Sequence, residues 1–485
     1  MQRREFLYAT GMATLRLSQL NQGRSTVGAD DGQFEEISRL ITEKMSEYHV
    51  PGVAFGVMKN GHTMTRGFGV TNVDDPQQVT PDTLFPVASI SKTVAATAIV
   101  RLIEEGKLDL KSPVRRYLPD FRVQDETVSR EVSVWNLLTH SSGWFGNLNT
   151  DDRGTETLAN FVSSLRDLPQ LSSPGSVWSY DNAGFGIAGR VIEVVTGRNI
   201  HDALREIVFA PLGLTRAVTR STDAMTYRFA VGHRPRDDRT EVIRPFSLNY
   251  NTTAGGVVMS MSNLLSYAKC HLGDGNDAQG HPFLSPAALQ QMRTPQLRKN
   301  STDDAMGIGW HLRRLNGVLT AAHGGIGNGH CLQVQLVPER NLAFSILTNH
   351  SDGWRLVQDV ERATLKLYEG LALAPNQPIG YRGVNEAMTG HATPLAKQPS
   401  LDAYIGIYRR PPLGAVEVRN EGGKLIFVFF DANGANSTSL TFFGPNVAFA
   451  TGGASYMGRP FEFIGGPDGR IGWIRINGNV AKKDA

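Results

Sequence analysis

Cysteine is nearly absent from this chain, with only Cys270 and Cys331 among 485 residues. Two thiols cannot build a disulfide framework or a cysteine-based zinc site. One bridge is the most they allow, and two unrelated buried thiols are the simpler expectation. Long hydrophobic runs are also missing: no stretch approaches the ~18 apolar residues of a membrane span, so no transmembrane segment is expected. Charge of one sign is not in excess, with 49 Lys and Arg against 46 Asp and Glu and a net charge of +3. That balance gives no broad basic face for nucleic acid. There is no G-x-S-x-G, the turn that carries an α/β-hydrolase nucleophile, and no H-E-x-x-H. The 12 histidines do not cluster at metal-ligand spacing, so no metal site is expected.

Apolar residues at 40% and charged residues at 20% describe an ordinary globular chain with ample core. Its 51 glycines are an excess that suggests many turns and much antiparallel sheet. The first 30 residues read as an address label. Arg3-Arg4-Glu5-Phe6-Leu7 resembles a twin-arginine export signal, a short apolar stretch to Leu15 follows, and Val27-Gly28-Ala29 offers small residues for cleavage. An exported protein, periplasmic or extracellular, is the expectation.

Beyond that segment the apolar spacing predicts a helix from Phe34 to Tyr48, then a hairpin of Val53–Met58 and Thr63–Phe68 turned by Asn60-Gly61. Far downstream, Trp310–Leu315, Val318–Ala322, Leu332–Val337 and Ala343–Leu347 read as strands, closed by an amphipathic helix from Trp354 to Leu371. Both ends of this region therefore supply one antiparallel sheet, flanked by helices. The stretch from about Ser91 to Tyr267 reads as a helical lobe inserted between the two halves, with a cleft at the boundary. The fold class is α+β over residues 31–374, which are expected to fold without the C-terminal region. Residues 375–400, rich in Pro, Gly, Thr and Gln, read as a linker. Residues 401–485 hold only short strands and tight turns, as in a small β-barrel or sandwich.

Chemistry concentrates at three places. In Ser89-Ile90-Ser91-Lys92, Ser89 stands where an apolar helix begins, and Lys92 lies on the same helix face. A serine hydroxyl needs a proton acceptor to become a nucleophile, and a lysine whose charge burial disfavours provides one. The second copy of the tetrad, Ser266-Tyr267-Ala268-Lys269, falls inside a helical pattern and is rejected. The second place is Tyr180-Asp181-Asn182, the only Tyr-x-Asn in the chain, and the third is His323-Gly324-Gly325 at the end of a strand. His271-Leu272-Gly273 shows that His-x-Gly also arises by chance. Gly184–Gly189 fits G-x-G-x-x-G, but it follows a loop instead of a buried strand, so close helix packing is preferred to dinucleotide binding.

In this order the motifs resemble those of the serine β-lactamases and penicillin-binding proteins, which combine S-x-x-K with Y-x-N and K-T-G. The likeness is to the class C branch, with its D-stereospecific peptidases and carboxylesterases. It extends over about residues 33–372 and includes Leu137–Gly143, Pro211–Leu214 and Ala254-Gly255-Gly256. The resemblance implies a serine acyl hydrolase with Ser89 as nucleophile and Lys92 and Tyr180 handling protons. Oxyanion donors would be the N–H groups of Ser89 and Ile326, beside Gly324 and Gly325. Asn182 would bind the substrate flank. His323 stands where many relatives have lysine and would contact Tyr180 or a substrate carboxylate, with a charge that changes near neutral pH. Substrates would be small molecules or peptides (D-amino peptides, β-lactams or esters), with no cofactor. The alternative is a binding or sensor module that acylates without turnover. Oligomeric state is not legible. Ser89→Ala is expected to abolish labelling by a fluorophosphonate probe, whereas Ser266→Ala retains it; labelling that survives in Ser89→Ala would reject Ser89 as the nucleophile.

Overall fold

The computed structural model describes residues 29–146, 157–246, 248, 252–299, 304–372, 394–411, 414–431, 434–452, 456 and 459–484. The export-signal reading and most of the linker reading lie outside these residues. The elements that place the site are α1 (Ala29–Glu47), β1 (Gly52–Lys59), β2 (His62–Gly69), β3 (Leu84–Pro86), α2 (Ser91–Glu104) and α3 (Asn182–Thr196). Downstream are β4 (Leu297–Arg298), β5 (Ala305–Met306), β6 (His311–Leu315), β7 (Val318–Gly327), β8 (His330–Val337), β9 (Leu342–Thr348) and α4 (Trp354–Glu369).

Eight of these strands form one sheet in the order β2-β1-β9-β8-β7-β6-β5-β4, so the two ends of the region do meet in a single sheet. The β1–β2 hairpin turns at Asn60 (φ 50°) and Gly61 (φ 84°), the positive pair that Asn-Gly tolerates best. α1 and α4 cover one face through Phe34, Ile37, Ile41, Leu356, Val360 and Leu365, all buried against Phe55 and Phe344. The opposite face meets the helical lobe, where Val94, Ala98, Phe185, Val191 and Leu264 share one core with Leu332 and Val334. α4 stops at Gly370, whose φ of 66° is the left-handed cap that glycine adopts without strain.

β7 runs five residues past the expected end at Ala322. Glycines are poor strand formers, but cross-strand pairing holds them here: Gly325 opposite Leu332, Ile326 opposite Cys331 and Gly327 opposite His330. Cys270 and Cys331 are both buried and are not joined in a disulfide. Among the described residues, no helix is long and apolar enough to cross a membrane.

The C-terminal region is a closed barrel of β10 (Gly406–Arg409), β11 (Ala415–Glu421), β12 (Lys424–Asp431), β13 (Gly434–Gly444), β14 (Val447–Ala450), β15 (Pro460–Gly465), β16 (Ile471–Ile476) and β17 (Asn479–Lys483). Tyr408, Phe427, Phe442, Phe461 and Ile474 fill it. β13 is not evident in the sequence because its first half, Gly-Ala-Asn-Ser-Thr-Ser, is polar and has no apolar alternation. The barrel rests on the lobe: Val480, Trp473 and Ile464 pack with Phe145, Leu171 and Val177, and Trp473 Nε1–H donates to Leu171 O at 2.9 Å.

One buried acid stands out behind the sheet. Glu361 on α4 is 5% exposed, and its Oε2 has no hydrogen-bond partner. It borders a cavity of about 40 Å³ with Thr320, Gln333, Gln335 and Arg313, but Arg313 already forks onto Asp304 at 2.9 and 2.7 Å. Burial pushes the Glu361 carboxyl up to about 7, with Arg313 and then Arg362 opposing. The native state therefore holds a proton that the unfolded chain releases. Stability from this group is full below the ordinary glutamate range and falls as pH rises towards 7, by about 1.4 kcal/mol for each pH unit crossed. Glu361→Gln is predicted to raise Tm at about pH 8 more than at about pH 5; an equal change at both pH values would remove the carboxyl as the source.

Candidate active site

Ser89 sits in a 3₁₀ turn, Ala88–Ile90, between β3 and α2. Ala88 has φ 45°, a left-handed conformation costly for a residue with a Cβ. It persists because its surroundings leave no alternative. Val87 N–H bonds to Val257 O at 2.9 Å, and β7 presses against the same turn. A Cβ on Gly325 would collide with Val87 O and lie 3.2 Å from Ala88 Cβ. Glycine at 325 is thus the condition for β7 to pass beside the serine.

That approach also decides what the strand edge offers. The two-residue turn Asn328-Gly329 closes on the pair Gly327–His330, which exchanges hydrogen bonds, so the next pair, Ile326–Cys331, does not. The Ile326 N–H therefore faces the other edge of β7, where pairing with β6 extends only to Ala322. Gly324 shares that edge, and Asn182 begins α3 and is partly exposed.

Lys92, the second residue of α2, is wholly buried. Its Nζ lies 3.4 Å from Ser89 Oγ and donates to Ala254 O at 2.6 Å. It stands 4.8 Å from the Tyr180 ring centroid and 5.6 Å from that of Phe185. Burial among these groups drives its pKa well below the ordinary lysine range, with Asp181 the weaker, opposing influence. Lys92 is therefore fitted to be an uncharged amine beside a hydroxyl.

Tyr180 arrives on the loop before α3. Asp181 caps that helix, accepting from Gly184 N–H at 2.7 Å and from Trp144 Nε1–H at 3.1 Å. Gly184 is small because a Cβ there would meet the Asp181 carboxylate at 2.5 Å, and a Cβ on Gly189 would meet Thr253 Oγ1 at 2.6 Å. The G-x-G-x-x-G of this segment thus serves close packing. The Tyr180 ring stacks on His140 with centroids 4.6 Å apart. His140 accepts the Asp181 N–H at Nδ1 (2.9 Å), and its carbonyl accepts the Ser179 N–H (2.9 Å). Burial holds its imidazole far below the usual histidine range. It is neutral, with its one proton on Nε2.

His323 is also fully buried, 4.8 Å from the His311 ring, and its Nδ1 lies 2.8 Å from Gly324 O. A carbonyl only accepts, so Nδ1 carries the proton and donates it. Burial first and Lys92 second lower its pKa to about 3. The expectation that His323 changes charge near neutral pH is corrected here: the ring has no exposed surface and a second imidazole leans on it.

The structure thus gathers Ser89 and Tyr180 around the Lys92 amine and brings β7 against the serine-bearing turn. The decoys lie apart: Ser266 is exposed and bonded back to Ser262 O at 3.1 Å, and His271 is packed between Tyr267 and Trp310. The sequence reading gave no role to His140, His311 or Asp181. His140 lies within the quoted Leu137–Gly143 run and Asp181 is the middle of Tyr-x-Asn, so both were in view without a reason to select them.

The Beta-lactamase family profile matches residues 37–368. Penicillin-binding protein 4 of Amycolatopsis lactamdurans is 32% identical over 336 residues, covering 68% of this chain and 88% of that protein. Unguisins hydrolase of Aspergillus campestris is 26% identical over 339 residues, covering 67% of this chain and 62% of that protein. The crystal structure of SurE is similar in fold through the barrel, with TM-score 0.77 at 22% identity over 94% of this chain and 100% of that one.

Because His323 stays neutral, the ratio of kcat/KM for an ester bearing a carboxylate to that for an uncharged ester is predicted to be flat between about pH 5.5 and 7. A step in the ratio within that window that disappears in His323→Asn would show a charged imidazole.

Proposed function

The chain belongs to the Beta-lactamase family, and on that premise we propose that it is a serine acyl hydrolase working through an acyl-enzyme on Ser89. The observation that carries the proposal is the desolvated Lys92 amine, 3.4 Å from Ser89 Oγ. A neutral amine has a lone pair to accept the serine proton; an ammonium has none. As Oγ bonds to the substrate carbonyl carbon, the Ser89 proton passes to the Lys92–Tyr180 pair. That pair then delivers a proton to the departing amine or alcohol, and the carbon–heteroatom bond breaks. Water adds to the ester by the reverse traffic and releases the acid. The N–H groups of Ser89 and Ile326 would stabilise the oxyanion. Asn182 and the Gly324–Gly325 edge would hold the substrate flank, and no step calls for a metal or organic cofactor.

Under this reading His323 is a neutral neighbour of the proton-handling groups, holding shape and polarity at the β7 end. The substrate class comprises D-amino peptides, β-lactams and small esters, the common feature being an acyl carbon that fits between Ser89 and β7. We further propose that residues 31–374 form the hydrolase domain, 375–400 a linker and 401–485 a barrel domain. Export of the chain is likewise a proposal, resting on the paired arginines at its start.

With a short-chain p-nitrophenyl ester, Lys92→Ala and Tyr180→Phe are each predicted to lower kcat, by roughly 10²–10⁴-fold for lost proton transfer. The natural protein should release p-nitrophenol over many turnovers. A single stoichiometric burst without turnover would instead support the sensor reading, and near-normal kcat in both variants would overturn the proton-transfer assignment.

A further inference from the structure

Three consecutive N–H groups in the loop that carries Tyr180 are satisfied from two directions. His140 serves Ser179 and Asp181, on either side. The N–H of Tyr180 itself donates to Gly478 O at 2.8 Å, and Gly478 belongs to the barrel. It sits in the Asn477-Gly478 turn between β16 and β17, with φ of 52° and 79°, a tight turn that presents its carbonyl outward. Next to it, Val480 N–H donates to Ser179 Oγ at 3.2 Å. On the other side of the loop, Arg475 of β16 sends Nε–H to Trp178 O at 3.2 Å. The same guanidinium donates to Lys299 O and, at 2.6 Å, to Glu462 Oε2 of the neighbouring strand β15. Its plane also lies 5.3 Å from the Trp178 ring centroid.

Residues 178–180 of the loop receive the barrel through one hairpin, β16–β17, by way of Arg475, Gly478 and Val480. Tyr180 is 3% exposed, so its N–H has no ready exchange with solvent. A buried N–H left without an acceptor carries a desolvation penalty, which the loop would avoid by moving. Movement of the loop carries the phenol away from Lys92, 4.8 Å from its ring centroid.

We infer that the barrel hairpin β16–β17 is part of the catalytic apparatus, with Arg475 a positioning residue that fixes Tyr180 through the carbonyls of Trp178 and Lys299 while Gly478 O anchors the Tyr180 N–H. The inference rests on the reading of Tyr180 as a proton-transfer group. It assigns the barrel a share in the rate of the chemical step, even for substrates too small to touch it. Arginine suits the post because three acceptors surround one planar fork, which a lysine ammonium matches in charge but not in geometry.

The test is a double-mutant cycle in the full-length protein with a small uncharged p-nitrophenyl ester. Arg475→Lys is expected to lower kcat roughly 10- to 100-fold, as a misplaced catalytic group does, with KM little changed and the pH profile of kcat altered. In the Tyr180→Phe background the same substitution is expected to cause no further loss, because the group it positions is gone. Ser179→Ala, which removes the acceptor of Val480 N–H and spares the Arg475–Glu462 pair, should follow the same pattern and serves if Arg475→Lys does not fold. Losses that multiply in full with Tyr180→Phe would overturn the inference, as would an unchanged kcat in both barrel-contact variants. An unchanged kcat in Tyr180→Phe alone would overturn the reading of Tyr180, and this inference with it.

Discussion

An amine taken out of water is the constraint around which this molecule is arranged. Lys92 has no exposed surface, and the carboxylate that acts on it, Asp181, is itself buried, with burial pushing its pKa up to about 6. Neither group is charged at low cost. Asp181 is held by the Gly184 N–H and the Trp144 indole, which favour its carboxylate, whereas Lys92 has the Ala254 carbonyl and the Ser89 hydroxyl within reach. The balance disfavours the charged form of the amine, which lies beside the Ser89 hydroxyl. Phe185, Tyr180 and the lobe core exclude the water that would restore its charge, so packing of the helical lobe is also what tunes the chemistry.

Close approach of backbone to backbone is the second requirement. β7 passes beside the Val87–Ala88 turn, and Gly325 is the residue that permits it. The strain of Ala88 and the glycines of β7 belong to one arrangement: the turn that carries Ser89 packs against Gly325, in the part of β7 that extends past its pairing with β6 at Ala322. His323 is held in the same region by Gly324 O, and burial lowers its pKa to about 3.

The barrel extends this logic across a domain boundary. Its own core is complete without the lobe, with Tyr408, Phe427 and Phe461 enclosed by its strands. Yet its last hairpin supplies the acceptor for the Tyr180 N–H and closes over Phe145, Leu171 and Val177. Removal of the barrel would expose that apolar patch and release the loop. A second domain thus reaches the site through hydrogen bonds to main chain, which leave no side-chain motif to find.

The sequence by itself determined the α+β class, the sheet built from both ends, the β-rich C-terminal region and the cluster of Ser89, Lys92, Tyr180 and the 323–326 segment. Those features are local: helical and strand periods, an Asn-Gly turn, and motifs whose order along the chain resembles a known family. It also left Ser266 and the 184–189 glycines as decoys for local reasons that the structure bears out. Only the tertiary structure decided that the pKa values of Lys92 and His323 are lowered, because a pKa follows from what surrounds a group in space, not from its neighbours in sequence. The extension of β7 through three glycines, the role of His140 and the hold of Arg475 and Gly478 on the Tyr180 loop were settled there too. The contacts of His140 and Arg475 depend on partners far away along the chain, 41 residues in the His140–Asp181 contact and 297 in the Arg475–Trp178 contact, and no local pattern encodes a contact of that range.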